Sequence, residues 1–89
     1  MPDDDPVVIR LVAFTDETLR PKDLDERIDP HTPLLELGIL DSLKTAILLN
    51  FIRDELGVAV PPMEINARNF KDINSIAAMV NQLTSAPTT

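Results

Sequence analysis

The chain has 89 residues, room for one domain with a small core, because a chain of this size buries only about 60 to 65% of its unfolded surface. Fifteen Asp and Glu against eight Lys and Arg give a net charge of −7, which disfavours nucleic acid and anionic membrane surfaces as partners and favours basic protein surfaces. Without cysteine, and with His31 as the single histidine, disulfides, thiolate metal sites and a histidine cluster are all excluded.

Residues 1–5 read as a disordered acidic lead-in, with neither the basic nor the apolar region of a secretory signal, so the expected location is cytoplasmic. Asp5-Pro6 is an N-cap followed by proline at the first helical position. Val7, Val8, Leu11, Val12 and Phe14 recur at helical spacing and Thr15, Thr18 and Leu19 follow, which predicts one amphipathic helix from Pro6 to Leu19. Pro21 ends it by forcing Arg20 out of the helical region.

From Arg20 to Leu40, Pro21, Pro30 and Pro33 break regular structure, and Leu24, Ile28, Leu34, Leu35 and Leu37 are expected to anchor the loop to the core. A connection this long between two helices is uncommon unless it serves a site, and this one ends at Asp41-Ser42. Asp41 is a good N-cap, and the chain then runs without proline or glycine to Gly57, which predicts the second helix over Leu43 to Leu56. Leu43, Ala46, Ile47, Leu48, Leu49, Phe51, Ile52 and Leu56 cover more than one face of it, a surplus that points to a partner.

Val58-Ala59-Val60 has no second strand to pair with and is stopped by Pro61-Pro62, so it reads as an extended connector. One short helical turn is expected within Met63 to Asn69, with Met63 as a gap filler and Ile65 and Phe70 pointing inward. Asp72 then caps a last helix whose Ile73, Ile76, Ala77, Val80 and Leu83 share one face. The expected fold is all-α, a bundle of three main helices plus one short helix with a long first loop. It spans residues 6–84 as a single domain, followed by a frayed tail at 85–89.

By residue chemistry alone, Asp41 and Ser42 are common helix-starting residues. A serine one residue into a helix also sits where free backbone N–H groups and the helix dipole can stabilise a phosphate on its hydroxyl. A triad nucleophile is a poorer reading: Gly38 lies four residues before Ser42, Lys44 fills the later glycine position of the nucleophile elbow, and His31 is the only possible base.

The whole layout, from Val8 to Leu83, resembles the acyl and peptidyl carrier protein family. The resemblance rests on Thr32-Pro33-Leu34-Leu35-Glu36, the Leu37-Gly38 turn, Asp41-Ser42-Leu43 opening the second main helix, Glu55-Leu56-Gly57-Val58, Pro61-Pro62 and Phe70. It implies that Ser42 carries 4′-phosphopantetheine, taken from coenzyme A by a phosphopantetheinyl transferase, and that Asp41 assists the modification. It further implies that an adenylation or acyl-loading enzyme charges the thiol as a thioester and that downstream tailoring or condensing enzymes use the cargo. Catalysis by the carrier, a metal, nucleic acid and a membrane are not expected, and neither is a stable oligomer.

Fatty acid carriers usually present an acidic second helix, whereas Lys44, Ile47 and Arg53 break that pattern here, so docking through Leu43, Lys44, Ala46 and Ile47 is expected to be more apolar than electrostatic. Val60-Pro61-Pro62-Met63-Glu64-Ile65 looks more like free-standing aminoacyl carriers, such as prolyl carriers of natural-product pathways and D-alanyl carriers. A discrete subunit loaded in trans is the expectation. An acyl carrier of a polyketide or fatty acid pathway, and an unmodified acidic helical adaptor, are the alternatives.

Overall fold

A computed structural model describes residues 5–25 and 27–85, Ser85 by its backbone alone; the expectations for residues 1–4, Glu26 and residues 86–89 lie outside them. The chain is all-helical, with no strand among the described residues. Asp5 is extended and its carboxylate accepts the Val7 N–H at 2.9 Å, which starts α1 (Pro6–Phe14) with proline at its first position. Val8 and Leu11 form the buried stripe of this helix.

The single α-helix predicted over Pro6 to Leu19 needs correction at its end. Thr15–Leu19 is wound as a π turn, closed by the Arg20 N–H on the Thr15 carbonyl at 2.8 Å. Such a turn inserts one residue into the helical ladder and re-aims the side chains that follow. The largely buried Asp16 lies in this turn and accepts the Ile28 N–H at 3.1 Å; Arg20 and Arg27 stand 3.4 and 3.6 Å away. These long-range contacts offset the poorer helix geometry, and they fall on residues that sequence periodicity treats as ordinary α-helix.

The connection from Arg20 to Asp41 is stitched down by its backbone. Leu34 donates its N–H to Lys71 O at 2.8 Å, Asn74 donates to Pro30 O at 3.0 Å, and the Leu34 carbonyl accepts from both Ile39 and Leu40. Ile28, Leu34, Ile39 and Leu40 are buried, but Leu35 and Leu37 are exposed rather than anchoring. Gly38 adopts a positive φ of 71°, a conformation costly for any residue with a Cβ, and this lets the loop fold back so that Ile39 and Leu40 reach the Leu34 carbonyl.

Helix α2 (Ser42–Glu55) buries Leu48 and Ile52, and Phe51 stacks on Phe14 of α1 with ring centroids 4.1 Å apart. After Gly57 and an extended connector, a 3-10 turn (Pro62–Glu64) leads into the short α3 (Ala67–Phe70), capped by Asn66 on the Asn69 N–H. Phe70 is buried as expected, whereas Ile65 is exposed. Helix α4 (Ile73–Ser85), capped by Asp72 on the Ser75 N–H, packs against both α1 and α3 and supplies Ile73, Ile76, Ala77, Met79 and Val80 to the core.

Candidate functional site

Ser42 is the first residue of α2 and is exposed. Asp41 precedes it in extended conformation, and its Oδ1 accepts the Lys44 N–H at 2.8 Å while its carbonyl accepts the Thr45 N–H at 2.8 Å. The N–H groups of Ser42 and Leu43 have no carbonyl within the helix to bond, and they lie at the positive end of a 14-residue helix dipole. The Ser42 hydroxyl makes no hydrogen bond among the described residues, so it stands free for chemistry.

This arrangement fits a phosphodiester on Ser42: the oxygen is open, the helix end favours an anion, and capping occupies one Asp41 oxygen. Lys44 is two residues away. Beside the hydroxyl an open, mostly apolar cleft of about 490 Å³ begins, walled by Leu40, Ala46 and Leu49 from one side and Ile65 from the other.

Of the docking residues expected on α2, Leu43 is 70% exposed, Ala46 is exposed and Lys44 is half-buried. Ile47 is half-buried and packs against the core, so it offers less surface than Leu43. The most exposed large apolar residue among the described residues is one that sequence reasoning misassigned: Met63, read as a gap filler, is 80% exposed on the 3-10 turn before Ile65. The signal was present in Pro61-Pro62 and the Asn66 cap, which confine Met63 to a three-residue turn with little surface to bury. Leu35 and Leu37 add exposed apolar surface on the loop leading to Ser42.

His31 does not join Ser42. Its ring meets Asn74 Nδ2 at 3.3 Å on α4, and it does not line the cleft, so no nucleophile-base pair forms. No group of three or more potential metal ligands occurs among the described residues, nor any helix long and apolar enough to cross a membrane.

A free serine hydroxyl at a capped helix start, with no histidine beside it among the described residues, has the geometry that covalent attachment of a group needs. The phosphopantetheine attachment-site family matches residues 22–83, and the chain belongs to it. It is a carrier protein. Over 60 residues it is 38% identical to the "Probable acyl carrier protein PigG" of Serratia sp. (strain ATCC 39006), covering 67% of this chain and 69% of that one. Over 77 residues it is 30% identical to the D-alanyl carrier protein of Lactococcus lactis subsp. cremoris (strain MG1363), covering 86% and 87%.

Among solved structures, a chain from the crystal structure of an FAD-dependent dehydrogenase superposes with a TM-score of 0.74 at 42% identity, over 81% of this chain and 100% of that one. A chain from the structure of a Bradyrhizobium japonicum glycine:carrier protein ligase complexed with glycylated carrier protein shares the fold at a TM-score of 0.65 and 23% identity, over 82% and 97%.

Proposed function

We propose that Ser42 is the hydroxyl that carries 4′-phosphopantetheine and that the group delivered on it is an aminoacyl or other small acyl unit. The observation that carries this is Ser42 itself, exposed, without a hydrogen-bond partner and first in a helix capped by Asp41, inside the matched region. In the loading step the Ser42 oxygen bonds the phosphorus of coenzyme A's pantetheine arm, adenosine 3′,5′-bisphosphate leaves, and the hydroxyl proton passes to a base of the transferase. The chain supplies no base. Asp41 positions the serine by fixing the first turn, and its uncommitted oxygen is available to a metal ion brought by the transferase.

When bound, the prosthetic group supplies a thiol that holds the cargo as a thioester, at high effective concentration near any docked enzyme. Leu43, Ala46 and Met63 form the docking surface, with Lys44 at its edge. Similarity to D-alanyl carriers over most of the chain, and an α2 that lacks the acidic pattern, support an aminoacyl cargo. The 42% identical chain from a structure of an FAD-dependent dehydrogenase supports oxidation of the tethered group as one service, in cytoplasmic natural-product biosynthesis. The carrier itself turns nothing over.

Intact-mass measurement after incubation with coenzyme A, magnesium and a broad-specificity phosphopantetheinyl transferase tests the site. The expected outcome is a single pantetheinyl addition that is absent from Ser42→Ala. No addition, or an equal one in the variant, overturns it. An unmodified adaptor would give the former.

A further inference from the structure

The charge of this chain is divided between its halves. Residues 1–36 carry ten acidic against four basic side chains, and residues 37–89 five against four. The chain from Leu37 onward is therefore close to neutral, and most of the acidic excess lies between Asp16 and Glu36, which hold seven acidic against three basic side chains.

That half also holds an apolar groove. Val8, Ile9 and Val12 of α1 face Ile28 and Pro30 of the connection across an open space of about 530 Å³. Ile9 is 55% exposed, although it lies on a helix whose other large aliphatic residues are covered. Asp16, Glu17 and Arg27 edge the groove, and their charges are not equivalent. Asp16 is engaged by Arg20, Arg27 and the Ile28 N–H, whereas Glu17 is exposed and has no ion-pair partner among the described residues. With Asp16 and Glu17 included, the stretch from Asp16 to Pro30 carries six acidic and three basic side chains.

We infer that this groove is a second docking surface, filled by a short segment of a partner protein that places a bulky aliphatic side chain beside a lysine or arginine. The aliphatic side chain packs between Ile9 and the Ile28–Pro30 wall, and the cation meets Glu17 in the acidic field of the connection. The groove shares no lining residue with the cleft beside Ser42, so both faces can be occupied together. One contact then holds the carrier within an assembly while Ser42 serves successive enzymes, which raises its local concentration at each of them.

The test is a titration of the full ¹⁵N-labelled chain with an acetylated, amidated leucine–lysine peptide, followed by amide chemical shifts. Saturable shifts are expected at Ile9, Val12, Ala13, Glu17 and Ile28. Replacing the peptide's lysines by glutamine, or its leucines by alanine, is expected to weaken binding by about tenfold or more in each case. Ile9→Lys is expected to do the same, while Ile9→Val retains binding; Ile9 is exposed enough for both variants to fold, which circular dichroism checks. Equal binding of either control peptide, or shifts centred on Leu43, Ala46 and Met63, overturns the proposal. Ser42→Ala is expected to bind the peptide unchanged, and saturating peptide to leave Ser42 modification undiminished; a slowed modification overturns joint occupancy.

Discussion

At the scale of single residues, two aspartates alike in sequence do different work. Asp41 spends one oxygen on a local cap, whereas Asp16 reaches twelve residues ahead to the Ile28 N–H. That hydrogen bond, with Arg20 and Arg27 nearby, holds the Asp16 carboxyl below its ordinary value of 3.8 and outweighs the burial that would raise it. A depressed folded value means that the stabilisation is present above pH 3.8 and is lost as pH falls through the lower folded value. Asp16→Asn is therefore expected to cost about 1 to 2 kcal/mol at neutral pH. Urea unfolding at neutral pH and again at about pH 3 checks it, since the gap to wild type should narrow in acid. An equal gap at both would mean that the charge of Asp16 is not what fastens the loop.

At the scale of elements, α2 commits few side chains to the core and presents Leu43 and Ala46 outward, with Met63 exposed on the turn that leads to Ile65. Leu43→Asp and Met63→Asp are each expected to slow loading by the cognate enzyme by about tenfold, with helical content unchanged. Normal loading in either variant removes that residue from the interface. The helix starts were legible in the sequence because a cap is local: Asp5, Asp41 and Asp72 each bond an N–H two or three residues ahead. The exposure of Met63, Ile65, Leu35 and Leu37 was not legible, because whether an apolar side chain on a turn is covered depends on which distant element lies over it. The π turn escaped notice for the same reason. Its rationale sits at Ile28, outside any helical window.

At the scale of the molecule, one core draws on all four helices, α4 packs against both α1 and α3, and Phe70 is where the short α3 enters the core. Phe70→Ala is expected to lower stability by about 3 to 5 kcal/mol, most of what so small a domain possesses. Thermal unfolding reads this directly, and a midpoint unchanged from wild type would place Phe70 outside the core. The Ser42 region depends on the same anchor, because Leu34 hangs from the Lys71 carbonyl beside Phe70 and its own carbonyl sets Ile39 and Leu40 before the attachment serine.

The pair between Asp5 Oδ2 and Asn81 Nδ2, at 2.6 Å, fastens the start of α1 to the last turns of α4. The two ends of the folded unit thus leave from one corner. A short peptide could join them into a ring, and a new opening at the exposed turn of Lys22 and Asp23 would leave every helix whole. Circular permutants of this carrier are accordingly within reach, with the point of tethering moved from the α1–α4 corner to the long connection and Ser42 left where it stands.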